Sequence, residues 1–207
     1  MRGFSDEERI EIRKRMLEIG LDRFSTHGPK KTTISDITDP LGIAQSTFYL
    51  FFDSKEALIE EIVQEQREEF MATIERELEA IEDAQDGLET LFHCHATWLE
   101  GNQFLQQVFF EERLEEAVRS LPQDVVDENR QMLVQELSGY IEAMRGCDGR
   151  VLRDVETITV LGLLSMNAFL VSHRGMFEEY DAGYYRDLKS TMITALARGL
   201  TVDSSER

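Results

Sequence analysis

The sequence is poor in cysteine, proline, lysine and tryptophan, and it has no long apolar run. Each scarcity excludes something. Two cysteines, Cys94 and Cys147, cannot build a disulfide framework, and neither lies in a Cys-x-x-Cys pair, which fits a reducing compartment. The longest uncharged apolar stretch, Val160 to Val171, is too short to span a bilayer and contains Ser165 and Asn167, so it reads as a buried helix. The start, Met1-Arg-Gly-Phe-Ser-Asp-Glu-Glu, is charged where a signal peptide needs an apolar segment. A cytoplasmic protein without a membrane partner is therefore expected. Three prolines in 207 residues, and no window of sustained apolar–polar alternation, leave little room for a sheet. The expected fold is all-α.

What is abundant is acid. There are 41 Asp or Glu against 22 Lys or Arg, a net charge of −19, where a nucleic-acid binder is expected to show a basic footprint. The distribution matters more than the total. Residues 1–56 hold nine basic and ten acidic side chains, so that 13 basic face 31 acidic side chains in the remainder. Only five lysines stand beside seventeen arginines. Carboxylate excess with few lysines resembles proteins of salt-loving organisms, and an ordinary acidic surface is the alternative. At this length, 42% apolar residues suffice for an ordinary core and argue against disorder.

Helical runs fall between breakers at 6–26, 33–40, 45–51, 54–82, 86–100, 103–119, 122–145, 149–174 and 181–200, about nine helices in all. Glycines at 28, 42, 101, 146 and 175 mark helix ends, and Pro122 suits a first turn. Thr33-Ile-Ser-Asp36 is a capping pattern that starts the second helix, and Gly42 provides the turn into the third. Phe48 and Phe52, four apart, point inward; Gln45, Ser46, Thr47, Tyr49 and Leu50 are left for outer and flanking faces. Pro40 should tighten the second helix or end it early, and Ala44 offers no side-chain cap to the third, at a cost of about 1 kcal/mol.

Two short helices joined by a glycine turn, the second polar outside, form a helix-turn-helix whose second helix fits a DNA major groove. Thr33-Ile-Ser-Asp-Ile37, Leu41-Gly-Ile43, Thr47-Phe-Tyr49 and Phe52-Asp-Ser-Lys-Glu-Ala-Leu58 resemble the N-terminal signature of the TetR family of transcriptional regulators. That resemblance implies a DNA-binding domain over residues 1–56 and a helical ligand-binding and dimerisation domain over 57–207. It implies that Gln45 and Leu50 face bases, while Thr33, Thr47, Tyr49 and Lys55 meet phosphates; Ser46 suits either role. The chemistry agrees in kind, since Gln pairs with adenine, Leu meets a thymine methyl, and hydroxyls and Lys suit phosphate. Lys30, Lys31 and Arg2 are weaker candidates.

The second domain carries no motif. Val155, Ile158, Leu161, Ser165, Ala168 and Phe169, with Leu188, Met192, Ala195, Leu196 and Gly199, follow helical spacing with small residues interspersed. Residues of about 149–200 are accordingly expected to make a homodimer. Phe92, Trp98, Phe109, Phe110, Tyr140, Met166 and Asn167 either line a pocket for an unknown small-molecule effector or form a plain core. Asn167 is the most suggestive, because a buried amide needs partners, within the chain or across a dimer.

Other chemistry finds little support. His93 and His95 are two apart, whereas helical metal pairs use spacings of three or four. Gly-x-Ser-x-Gly and Gly-x-Gly-x-x-Gly motifs are missing. Neither metal nor cofactor nor enzymatic activity is expected. The expectation is a homodimeric, ligand-responsive repressor on a palindromic DNA operator. Its rivals are a helical small-molecule carrier or enzyme without a DNA role, and a chromosome-associated protein without ligand control.

Overall fold

Ser5 opens the first helix: its hydroxyl accepts from the Glu8 amide and the Glu8 carboxylate accepts from the Ser5 amide, while Asp6, Glu7 and Glu8 face the positive helix end. This helix, α1 (Asp6–His27), is followed by α2 (Ile34–Thr38), α3 (Gln45–Phe48), α4 (Lys55–Leu78), α5 (Ala84–Gly101), α6 (Gln103–Phe109) and α7 (Gln123–Ala143). Then come strand β1 (Arg150–Leu152), α8 (Thr157–Ser172), α9 (Arg174–Glu178), α10 (Tyr184–Leu200) and β2 (Thr201–Asp203). This computed structural model describes residues 4–79, 82–109, 123–147, 150–181 and 183–203. The all-α expectation holds. Among the described residues there are ten α-helices and one short ribbon, and no helix is long and apolar enough to cross a membrane.

The chain divides into two compact units. The first comprises Met1–Arg67 and Asn102–Asp127, and its centre is an apolar stripe on α1. Met16, Leu17 and Phe24 are buried there with Ile37, Phe48 and Phe52, Leu58, Ile59 and Ile62 of α4, and Phe104 and Leu105 of α6. Gly20 lets α1 and α4 approach closely: a Cβ at this position would lie 3.0 Å from Leu58 Cδ2 and 3.2 Å from Ile62 Cδ1. Pro40 acts as its ring chemistry predicts. Helix α2 stops at Thr38 and passes into a 3₁₀ turn over Asp39–Leu41, which Gly42 ends in the left-handed conformation at φ 65°.

The second unit comprises Glu68–Gly101 and Glu128–Arg207. Phe70 and Ile74 of α4, Leu88, Leu91 and Phe92 of α5, Leu137 and Ile141 of α7, Val160 and Leu164 of α8, and Ile193 and Ala197 of α10 form one core. Tyr185 and Lys189 of α10 both donate to the Glu100 carboxylate, tying α10 to the end of α5.

Here the sequence reading needs correction. A helix was expected over 149–174, but Arg150–Leu152 is a strand paired antiparallel with Thr201–Asp203, Val151 opposite Val202. The pairing continues beyond the ribbon, with the Arg153 amide donating to Leu200 O (2.8 Å). Arg145 donates to the carbonyls of Arg153 and Val155 (3.1 and 2.6 Å), and the Val155 amide donates back to Arg153 O (2.7 Å), so the connection bends at Asp154 before α8 begins at Thr157. The expected final helix over 181–200 is preceded by the short α9, and the described part of the 103–119 run is α6 alone; residues 110–122 lie outside the described residues.

Candidate functional site

Helix α2 is opened by Thr33. The Asp36 amide donates to Thr33 Oγ1 (3.3 Å), while the Thr33 amide and hydroxyl donate to Asp36 Oδ2 (2.8 and 2.7 Å). The Thr33 amide, then its hydroxyl, hold the Asp36 carboxyl below the usual carboxylate range. Thr33 is exposed while so engaged. Ala44 caps α3 without a side-chain bond, as its chemistry requires.

Helix α3 is fixed from below. Phe48 is fully buried, 5.6 Å between ring centroids from Phe52 and edge-on to Tyr49 at 5.5 Å. With Phe48 as the anchor, the rest of the short helix turns outward: Gln45 and Ser46 are exposed, Tyr49 is 55% exposed, Leu50 is 57% exposed, and Thr47 is half-buried. Gln45 Nε2 donates to Ser35 Oγ, which steadies its amide from α2. Thus Thr33 at the start of α2, Gln45 and Ser46 in the first turn of α3, and Tyr49 and Leu50 just past its end form an exposed set with hydroxyls, an amide, a phenol and an aliphatic tip within it. That set suits both base edges and phosphates.

Lys55 is engaged differently from the open phosphate-facing cation that the sequence suggests. Its Nζ donates to Pro29 O (2.7 Å) and Thr32 O (3.0 Å), bridging the start of α4 to the turn between α1 and α2. Ser54 supplies the α4 cap, its hydroxyl accepting from the Ala57 amide at 3.0 Å. Lys30 and Lys31 are exposed beside this turn, and Arg2 lies outside the described residues.

Two arginines were missed by sequence reasoning. Arg9 Nη2 donates to Leu50 O (3.3 Å), and its guanidinium sits 5.2 Å from the Phe51 ring centre. One turn on, Arg13 lies 4.9 Å from the Phe52 ring centre and pairs through both terminal nitrogens with Glu61. Helix α1 thereby holds the turn that follows α3. The separations, 41 residues for Arg9 and 48 for Arg13, leave no local signal in the sequence.

In the second unit the expected ligand residues do not all converge. Phe92 is fully buried in the core; Trp98 and Tyr140 are half-buried against it. Met166 is 57% exposed and shares an outward stripe of α8 with Ile158, Gly162, Ser165 and Phe169, so it does not join them. The side chain of Phe109 and all of Phe110 lie outside the described residues. Within the expected dimer stripes, Leu161 is buried in its own unit and Val155, Met192 and Leu196 pack against that core. Ala195 and Gly199 of α10 are exposed.

Asn167 is 0% exposed, and its partners are in the same chain: Nδ2 donates to Phe92 O (2.8 Å) and lies 3.4 Å from His95 Nδ1. His95 is buried, and burial pushes its imidazole down to about 4. Its ring is edge-on to Phe70 at 5.9 Å, and Trp98 stacks on Phe70 at 4.5 Å. His93, two residues earlier, is exposed, so the two rings occupy different faces of α5.

Comparison with known proteins places these features. Residues 17–62 match the family described as "Bacterial regulatory proteins, tetR family". An uncharacterised HTH-type transcriptional regulator of Bacillus subtilis, YdgC, is 39% identical over 54 residues, 26% of this chain and 28% of that protein. The HTH-type transcriptional repressor KstR2 of Rhodococcus jostii is 39% identical over 51 residues, 25% of each. The aligned part thus spans about a quarter of the length of these curated relatives. Solved structures match far more of the fold. A transcriptional regulator from Saccharomonospora viridis in complex with choline has a TM-score of 0.69 at 19% identity, covering 93% of this chain and 99% of that one. The regulator FadR of Bacillus subtilis in complex with stearoyl-CoA has a TM-score of 0.67 at 17% identity, covering 89% and 96%. Residues 17–62 thus match the model of the bacterial regulatory proteins of the tetR family, and the chain that carries them shares its fold with solved structures described as transcriptional regulators.

Proposed function

We propose that the protein is a DNA-binding transcriptional regulator, a ligand-responsive repressor that acts as a homodimer on a palindromic operator. The observation that carries this reading is the exposed strip of Thr33, Gln45, Ser46, Tyr49 and Leu50 over the buried Phe48 anchor, within the segment that matches the family. Gln45 and Leu50 meet base edges; Thr33, Thr47, Tyr49 and the third N–H of Lys55 meet phosphates; Ser46 serves either. Residues 1–56 act as the reading head and 57–207 as the body.

The homodimer forms through the outward face of α8 and α10. Ile158, Gly162, Ser165, Met166 and Phe169 recur at helical spacing on one side of α8 and are exposed, as are Thr191, Ala195 and Gly199 on α10. An apolar face with small residues suits a close two-fold helix pairing. Two α3 helices then read half-sites about 34–36 Å apart. A ligand that favours a dimer with different α3 spacing releases the operator. Two neighbours in fold are described with choline and with stearoyl-CoA, which supports small-molecule control of the body. Protection of DNA flanking the protein's own gene, measured across a salt series, tests the reading. A protected palindrome is expected; ligand binding or turnover without any protected DNA replaces it with a carrier or enzyme.

A further inference from the structure

Buried polar atoms are almost always paired. In the second unit two are not: among the described residues, Trp98 Nε1 and Asn167 Oδ1 are buried with no hydrogen-bond partner. They are complementary, a donor and an acceptor, and both flank His95. Trp98 follows His95 by one helical turn on the same face of α5, with ring centroids 6.3 Å apart. Asn167 reaches the preceding turn from α8. Phe92 O can only accept, so it fixes which end of the amide is Nδ2 and leaves Oδ1 as the end without a partner. The 3.4 Å approach of Nδ2 to His95 Nδ1 makes that nitrogen the acceptor and puts the imidazole proton on Nε2.

The groups placed against His95 are uncharged. Burial alone lowers His95, with no charged side chain contributing, and the rings against it are Phe70 and Trp98. A cationic or anionic head group placed there would lose its hydration without gaining a counter-charge. A group that both accepts and donates loses nothing. Trp98 is half-buried although its Nε1 is buried, so the ring links this spot to the outside of the unit.

We infer that Trp98 Nε1–H and Asn167 Oδ1 bind the neutral polar head, a hydroxyl or primary amide, of an otherwise apolar ligand. Its role as effector rests on the regulatory reading above; the binding itself does not.

Trp98 is the protein's single tryptophan, so its emission reports this site alone. The full-length protein, without DNA, is titrated with four probes that share one alkyl chain: octanol, octanamide, octanoate and octyltrimethylammonium. Octanol and octanamide should shift the emission saturably, with the charged pair at least about tenfold weaker, the worth of one good hydrogen bond or more. Asn167→Leu should weaken octanol about tenfold. If that variant does not fold, Trp98→Phe, which keeps the ring on Phe70 but removes the N–H, should show the same loss by calorimetry. No saturable shift with either neutral probe overturns the proposal and leaves an ordered water as the partner of both atoms. Charged probes that bind equally well, or variants with unchanged affinity, overturn it too. A saturable titration with unaltered operator affinity removes the effector role and keeps the site, whereas absent operator binding removes the regulatory reading alone.

Discussion

Lys55→Met separates a clamp from a phosphate contact. The substitution keeps most of the aliphatic stem and deletes the ammonium that donates to Pro29 O at 2.7 Å and Thr32 O at 3.0 Å. A hydrogen bond from a charged group contributes about 1.5–3 kcal/mol when well shielded. Lys55 is half-buried, so water screens part of this, and about 2 kcal/mol for the pair is the reasonable magnitude. Both carbonyls lie in the turn that leads from α1 into α2, and the lysine begins α4, so the loss falls on the geometry of the helix-turn-helix. Urea unfolding followed by circular dichroism should show a lower midpoint with an unchanged slope. Operator affinity measured against salt gives the second readout. If the third N–H also meets a phosphate, the log–log salt slope falls by about 0.9 per protomer; a pure clamp weakens binding and leaves the slope alone. An unchanged urea midpoint would refute the clamp, and with it the assignment of those two bonds as structural.

Tyr49→Ala and Leu50→Ala remove exposed side chains, so the fold should keep its thermal midpoint while operator affinity falls about tenfold or more for each, as gel-shift titration reads. Ile158→Asp with Met166→Asp places two charges on the exposed stripe of α8, where the monomer accepts them; sedimentation should find monomers with unchanged helicity, and a persisting dimer would locate the interface elsewhere. His95 gives a pH signature. Its folded value of about 4 lies below the unfolded 6.5, so the unfolded state gains the proton first as pH falls. Stability is complete above 6.5 and declines by about 3 kcal/mol toward pH 4. Replacing His95 with Gln should flatten that window relative to the parent, and parallel profiles would show the ring to be solvated.

Local chemistry was legible in the sequence and distant partnership was not. The Thr33/Asp36 cap, the stop at Pro40, the left-handed Gly42 and the inward pair Phe48 and Phe52 all act within one or two turns, so the residues alone state them. Arg9, Arg13 and Lys55 find partners 23 to 48 residues away, and an exposed arginine in a helix looks the same whether or not a carbonyl waits there. The strand at 150–152 escaped notice because three residues show no period, and its partner is at the far end of the chain. Helix α8 misled for another reason. It is apolar on all sides, so periodicity could mark Asn167 as unusual without saying that adjacent Met166, about 100° around the helix, points outward.

The acid surplus then yields a prediction about salt. A protein that neutralises Z phosphates loses affinity with a slope of about −0.9Z, and Z counts cations rather than hydroxyls. The candidate strip is made of Thr33, Gln45, Ser46, Thr47, Tyr49 and Leu50; its lysine already donates to two carbonyls, and Arg9 and Arg13 are occupied by Leu50 O and Glu61. On the proposed reading, the third N–H of Lys55 together with exposed Lys30 and Lys31 beside the turn would bring about two or three cations per protomer to the phosphate backbone. For a dimer the slope should lie near −4 to −5, shallow for an operator-binding protein. The 31 acidic side chains beyond residue 56 oppose DNA everywhere but the head, and this opposition weakens as salt screens it, which flattens the slope further. Specific binding should therefore survive at salt concentrations that remove non-specific binding. A measured slope near −10 would mean that many more cations reach the backbone than this surface presents, and would refute its assignment as a largely uncharged reader.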